Sequence, residues 1–120
     1  MDNLVYLTDH EKINEVLKTR HSDTFVLLYV SPWCDWSRKM EVLADEWASR
    51  HPLIPVYVIS SWHTPEAFGT FSITSAPSMI AFNNNTIYTE EKSDIKTNGV
   101  ILYDADLNYT GFPYNLDNYI

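Results

Sequence analysis

The single cysteine of the chain, Cys34, lies in the stretch SPWCDWSRKM, residues 31–40, with Ser37 three positions after it. A thiolate attacks disulfide bonds, whereas the neutral thiol does not. The residues before Cys34 form a continuous apolar run, and those after it have helical spacing. Cys34 is therefore predicted at a strand-to-helix turn, where backbone N–H groups and the helix dipole stabilise a thiolate.

The neighbours of Cys34 act on such a thiolate in opposite directions. Arg38, one turn along the predicted helix, stabilises a negative sulfur, and Ser37 is placed to donate a hydrogen bond to it. Asp35 opposes both because it brings a like charge. The alternative hypothesis is an inert thiol. If the thiol is reactive, Cys34 forms a mixed disulfide, and an outside thiol such as glutathione must release the client, because the chain has no second cysteine.

The sequence shows no pattern for a metal or a phosphate group. Its histidines, His10, His21, His51 and His63, are scattered, and one cysteine cannot form a structural zinc site. The three glycines form no phosphate-binding loop. No metal and no resident cofactor are therefore expected, and glutathione enters only as an outside thiol.

Composition and charge limit the class of protein. The 120 residues fit one domain, and a hydrophobic content of 45% is sufficient for a packed core. The longest apolar run, Phe25 to Val30, is too short to span a membrane, and residues 1–8 do not resemble a signal peptide. A net charge of -8 repels nucleic acid and anionic lipid. The predicted protein is cytoplasmic, with no nucleic-acid or membrane partner.

The hydrophobic pattern predicts the element order β-α-β-α-β-α-β-β. The predicted strands are residues 4–7, 25–30, 53–59, 79–82 and 86–89, and the predicted helices cover residues 9–19, 34–50 and about 65–71. Helical connections predict parallel strands in the first half of the sheet, and the turn Asn83-Asn84-Asn85 predicts a hairpin in the second. Helices would cover both faces. Beyond residue 90, Val100 to Tyr103 is a clear strand, Leu107 to Thr110 is a weaker candidate, and FPYNLDNYI is either a helical turn or coil.

With strand, Trp-Cys pair and helix in this order, the chain resembles the thioredoxin family. The stretch LVYLTDHEKINEVL resembles the family's opening strand and first helix, and VLLYVSPWCDWSRKM resembles its central strand and active-site turn, Trp-Cys-Gly-Pro-Cys-Lys-Met. Later, FSITSAPSMIAF resembles the segment that carries the family's cis-proline, which would be Pro77, preceded by Ala76. The resemblance covers about residues 3–89. It implies a single α/β domain of residues 1–120 with a thioredoxin-like fold, a central mixed β-sheet flanked by helices.

The chain also departs from the family at four places. Ser37 replaces the second cysteine, and Asp35-Trp36 replaces Gly-Pro. The family's buried acidic residue falls at Leu28, and a β-rich or irregular tail of about residues 90–120 stands where the last helix is expected. Monothiol glutaredoxins share the Cys-x-x-Ser pattern and hold an iron–sulfur cluster with glutathione, but their Gly-Phe is Asp-Trp here, which disfavours a cluster.

The resemblance implies a set of site residues around the turn. The residues assigned to catalysis are Cys34 and Ser37, and those assigned to binding are Trp33, Asp35, Trp36, Arg38, Ala76 and Pro77. The backbone at a cis-proline turn can pair with an extended client segment. Trp36 is expected either to contact a partner or to pack on the tail. Trp62 and His63 fall at the same edge of the sheet, where they either border the groove or pack within their loop, and the second role is favoured.

Two functions follow from this set. The first is a monothiol disulfide oxidoreductase with weak, single-sided exchange on protein or glutathione disulfides. The alternative is a non-catalytic thioredoxin-fold module that docks a protein partner through the Trp-Cys and cis-proline surface. The missing cysteine and acid favour the second function, and the retained Trp-Cys and Ser-Ala-Pro stretches favour the first.

Overall fold

The structure, a computed structural model, describes residues 2–19, 23–71, 73, 76–82 and 99–104. The strands are β1 Val5–Leu7, β2 Phe25–Val30, β3 Val56–Ser60, β4 Ser78–Phe82 and β5 Gly99–Asp104. The helices are α1 His10–Thr19, α2 Asp35–Arg50 and a 3-10 helix, Pro65–Phe71. In this part of the chain, no helix has the length and apolar character needed to cross a membrane.

The strands form one mixed sheet in the order β1-β3-β2-β4-β5. β1, β3 and β2 run parallel, as the helical connections predict, and β4 runs antiparallel to β2 and β5. In the centre of the sheet, Leu28 pairs with Val58 on one side and with Met79 on the other. This topology brings the carboxyl ends of β2 and β3 to the same edge as the start of β4.

On the side away from β2, β4 pairs with the later predicted strand. β5, Gly99–Asp104, pairs along β4 with a register shift between Met79 and Ile80, which confirms the strand predicted at Val100 to Tyr103. The hairpin partner predicted at 86–89 lies outside the described residues, as do the tail segments 90–98 and 105–120.

The apolar run FVLLYV forms the central strand β2 because both faces of the sheet are covered. All six of its residues are buried, and successive side chains point to opposite faces. Val26, Leu28 and Val30 join a core beneath α2, whose members from that helix are Met40, Ala44, Trp47 and Ala48. Phe25, Leu27 and Tyr29 join a second core with Ile13 of α1 and Ala67 of the 3-10 helix. Burial of each large apolar side chain contributes about 1.5–3 kcal/mol.

Two elements next to prolines differ from their predictions, one in its first residue and the other in its helix type. The strand predicted over 53–59 begins at Val56, because Pro52 and Pro55 have no N–H to donate to a neighbouring strand. The carbonyl of Pro55 still accepts a hydrogen bond from the N–H of Val26, at 3.0 Å. The helix predicted from Pro65 is a 3-10 helix, opened by a hydrogen bond of 3.1 Å from the Ala67 N–H to the Thr64 carbonyl.

Polar side chains hold the edge strand β1 against α2. The Tyr6 hydroxyl donates to Glu41 Oε2 at 2.9 Å, and the Asn3 N–H donates to Asp45 Oδ1 at 2.9 Å. The pKa of Tyr6 is raised from 10.0 to about 12, first because partial burial disfavours the phenolate. The hydrogen bond to Glu41 and the negative charges of Glu41 and Asp45 act in the same direction.

Because folding favours the neutral phenol, Tyr6 is expected to make the stability of the protein fall in strong alkali. Its contribution is complete below pH 10.0 and is lost as the pH rises towards about 12. Tyr6→Phe removes both the hydrogen bond, worth about 0.5 kcal/mol at an exposed site, and this pH dependence. Urea unfolding at a series of pH values measures the difference in the free energy of unfolding between the two proteins. The contributions of the other tyrosines cancel in that difference. A difference that does not change with pH would contradict the expectation.

Candidate functional site

Cys34 is the N-cap residue of α2, at the turn that follows β2. Its backbone is extended, with φ -99° and ψ 121°, and its carbonyl accepts the Arg38 N–H at 3.2 Å. Its own N–H donates to the Ser31 carbonyl at 3.1 Å, which closes the turn. The Cys34 side chain is half-buried. The strand-to-helix position predicted for the sulfur is thus the observed one, beside the first-turn N–H groups that lack partners within the helix.

The segment that leads into β4 reaches the same sulfur. The peptide bond between Ala76 and Pro77 is cis, Pro77 is buried and Ala76 is half-buried. The Cys34 thiol lies 3.8 Å from the Ala76 carbonyl oxygen, to which it donates. Residues 42 positions apart in sequence thereby meet at one edge of the sheet.

Ser37 is fully buried, with 0% of its surface exposed. Its Oγ accepts a hydrogen bond from the Ser31 N–H at 3.1 Å. Within the described residues, the predicted hydrogen bond from Ser37 to the sulfur is not formed, because the hydroxyl oxygen faces the turn between β2 and α2. Ser37 therefore stabilises the turn that carries Cys34, and its hydroxyl cannot replace a second thiol in disulfide exchange.

Asp35 and Arg38 neutralise each other beside the thiol. Their side chains form an ion pair on the exposed first turn of α2. Arg38 Nη1 also donates to the Pro32 carbonyl at 3.4 Å. The sequence predicts opposite effects of these two residues on the sulfur. In the structure their charges cancel in one exposed ion pair, which contributes little net charge to the site.

Two exposed tryptophans, Trp33 directly before Cys34 and Trp62 after β3, contact each other. Trp33 is 70% exposed and Trp62 is 65% exposed. Their rings meet edge to face, with centroids 5.3 Å apart and planes at 74°. Of the two roles predicted for Trp62, its contact with the Trp33 ring favours a place beside the groove over packing within its own loop. The signal was present in the sequence: Trp62 follows β3, which ends at the same edge as β2.

Trp36 lies on the outer side of the first turn of α2 and is 56% exposed. The Lys39 ammonium lies 4.6 Å from the centre of its ring, a cation–π contact. Contact of Trp36 with a partner stays a prediction.

The position of the family's buried acid is apolar in three dimensions as well. Leu28 is 0% exposed and belongs to the core that contains Met40 and Trp47. On the other face of β2, burial raises the pKa of Tyr29. Among the described residues, no group of three metal-ligating side chains could hold an ion.

Comparison with known proteins identifies the fold. No protein-family model and no curated protein matches the chain. Thioredoxin O2 from Arabidopsis thaliana, in its oxidised state, superposes with a TM-score of 0.65 at 17% identity, covering 87% of this chain and 86% of that one. Thioredoxin O1 from the same plant gives 0.63 at 18% identity, with 86% and 88% covered.

A structure concerned with thiol resolution in the yeast mitochondrial 1-Cys peroxiredoxin by glutathione and thioredoxin systems is also similar. It gives a TM-score of 0.61 at 14% identity, and 82% of each chain is covered. At these identities the likeness shows the fold. The chain has a thioredoxin-like fold, a mixed sheet flanked by helices, as its sequence predicts.

Proposed function

We propose that the chain performs one-sided thiol–disulfide exchange at Cys34. One observation carries the proposal: the sulfur lies at the N-cap of α2, 3.8 Å from the Ala76 carbonyl, with a buried serine three residues later. The thioredoxin-like fold supports the same chemistry. The substrates are protein or glutathione disulfides, and the compartment is the cytoplasm, where glutathione keeps thiols reduced.

In the first step, the Cys34 thiolate attacks one sulfur of a client disulfide. A new S–S bond joins Cys34 to the client, the client's own S–S bond breaks, and the second client sulfur leaves as a thiolate that takes up a proton. Cys34 is oxidised and the leaving cysteine is reduced. The helix N-terminus stabilises the attacking anion without a neighbouring base.

The second step needs a thiol from outside the chain. In a dithiol site, the second cysteine breaks the mixed disulfide from within. Here the corresponding oxygen of Ser37 is buried and accepts the Ser31 N–H, and a hydroxyl does not exchange with disulfides. A first free thiol such as glutathione therefore attacks the Cys34 sulfur of the mixed disulfide, so the client leaves as a thiol and Cys34 is left bound to glutathione. A second glutathione attacks the glutathione sulfur of that disulfide, which frees the Cys34 thiol and yields glutathione disulfide as the oxidised product.

Client binding is assigned to the edge of the sheet around Ala76 and Pro77. Ala76 is half-buried and lies two residues before the start of β4, so backbone beside the sulfur can pair with an extended client segment. Asp35, Arg38, Trp33 and Trp36 are assigned to the same client surface because all four are exposed and lie on the turn or the first helical turn around Cys34.

The proposal predicts one turnover without an added thiol. With a peptide disulfide in excess, each chain is expected to release one equivalent of peptide thiol and then stop, because Cys34 remains in the mixed disulfide. Added glutathione is expected to restore continuous release. The released thiol is measured spectroscopically, with Cys34→Ser as the inactive control.

Failure of the wild-type chain to release any thiol would overturn the proposal. If Cys34→Ser then bound the same partner as tightly as the wild type, the non-catalytic docking module would be the supported function. The exposed Trp33 and Trp62 give that alternative a surface on which a partner can bind.

A further inference from the structure

We infer that Trp62, in contact with Trp33, makes the site selective for protein disulfides with an apolar or aromatic residue beside the reacting cysteine, in neutral or basic segments. Glutathione disulfide is the disfavoured substrate. The inference rests on the exchange proposed at Cys34, and it adds a specificity-determining residue that lies outside the Trp-Cys motif.

The first observation is the exposure of two large aromatic side chains in contact with each other. Trp33 and Trp62 are 70% and 65% exposed, whereas Trp47, in the core, is 0% exposed. Edge-to-face contact at 5.3 Å leaves most of both rings accessible. Two exposed indole rings in contact form an apolar patch, and such a patch indicates a surface for contact with another molecule.

The second observation is the position of this pair relative to the sulfur. The sheet places β2 between β3 and β4, and the Ser61 N–H donates to the Val30 carbonyl at 2.9 Å, joining the ends of β3 and β2. Trp62 therefore lies on the β3 side of the site, and Ala76 lies on the β4 side. A client segment that pairs beside Ala76 and presents its disulfide to Cys34 extends its neighbouring side chains towards the tryptophans.

The chemistry of the surface selects the occupant. Indole rings gain free energy by covering aromatic and aliphatic groups, and each aromatic pair is worth about 0.5–1.5 kcal/mol beyond the buried area. Glutathione carries two carboxylates and no apolar side chain to place there. The chain has 16 acidic and 8 basic residues, and the nearby Arg38 is paired with Asp35. The overall field therefore favours neutral or basic segments over anionic ones.

The test compares three disulfides on four proteins. The disulfides are a basic peptide with Phe beside its cysteine, the same peptide with Gly there, and glutathione disulfide. The proteins are the wild type, Trp62→Ala, Trp62→Phe and Leu53→Ala. Leu53, 93% exposed in the loop after α2 at the far end of that helix from Cys34, is the matched control for loss of an exposed apolar side chain.

Trp62→Ala is expected to lower the rate of mixed-disulfide formation with the Phe peptide about tenfold, the equivalent of one apolar contact. Its rates with the Gly peptide and with glutathione disulfide are expected to stay unchanged. Trp62→Phe retains most of the preference, and Leu53→Ala retains all of it. An equal loss on all three disulfides, or no loss on the Phe peptide, would overturn the inference.

A second measurement separates this inference from the exchange itself. The same peptides, with serine in place of cysteine, are titrated while the indole N–H resonances of Trp33 and Trp62 are followed by NMR. If no disulfide reacts with the wild type, the proposed exchange at Cys34 is wrong. The titration then still decides whether Trp33 and Trp62 bind the Phe peptide in preference to the Gly peptide. Shifts with the Phe peptide and not with the Gly peptide support selection; equal shifts, or none, refute it.

Discussion

Ser37→Cys is expected to let the chain release its client without an outside thiol, ending with a disulfide between Cys34 and the new cysteine. Ser37 lies on the first turn of α2, three residues after Cys34, and is fully buried beneath that turn. A thiol there attacks the mixed disulfide from within the same molecule. Because intramolecular reactions reach effective concentrations far above any added thiol, the lifetime of the mixed disulfide is expected to fall by at least about a hundredfold.

The matched control for this variant is Ser37→Ala. Both substitutions weaken or remove the acceptor for the Ser31 N–H, at a cost of about 1 kcal/mol, but only the cysteine supplies a second sulfur. The lifetime is followed by stopping the reaction with acid and determining the mixed disulfide by mass spectrometry. A mixed disulfide that persists as long in Ser37→Cys as in Ser37→Ala would contradict the geometry assigned to this turn.

The second large effect is expected in the core, where Trp47→Ala should destabilise the protein by about 3–5 kcal/mol. Trp47 is 0% exposed, contributes to the core between α2 and the sheet, and stacks on His51 with centroids 4.0 Å apart. Truncation leaves a cavity that the sheet cannot close. Since small domains are stable by only about 5–15 kcal/mol, this loss removes a large share of the total.

Trp36→Ala, on the same helix, is the control for that substitution. Trp36 is 56% exposed, so its truncation is expected to change the free energy of unfolding by less than about 0.5 kcal/mol. Urea unfolding followed by circular dichroism measures both variants, and Trp47→Phe gives an intermediate loss. Equal effects of the two alanine variants would show that α2 is not packed on the sheet as described.

The sequence predicts the centre of this fold well, because its signals there are local and strong. Phe25 to Val30 is a short apolar run typical of a strand covered on both faces, and the apolar stripe of α2 follows from helical spacing. Cys34 is placed correctly because the change of periodicity marks the turn. Comparison of the whole pattern with the thioredoxin family then gives the sheet that β1 to β4 form.

Other features depend on contacts that a linear pattern does not contain. The pairing of β4 with Gly99–Asp104 is long-range, whereas the Asn-rich turn after β4 gives a purely local hairpin signal. The spacing of Ser37 from Cys34 places both on one turn, but it does not determine which neighbour the hydroxyl faces. The order of the strands indicates which edge of the sheet Trp62 occupies, but its contact with Trp33 depends on β3 and β2 lying side by side.

The intact mass of the wild-type chain gives the sharpest test of one-sided exchange at Cys34. The chain is mixed with the peptide disulfide, separated from excess reagent and weighed before and after addition of glutathione. We expect each wild-type chain to gain one peptide, which stays bound until glutathione is added and is then released; Cys34→Ser is expected to gain none. A chain that gains no peptide, or that sheds it at the same rate without glutathione, would contradict the claim.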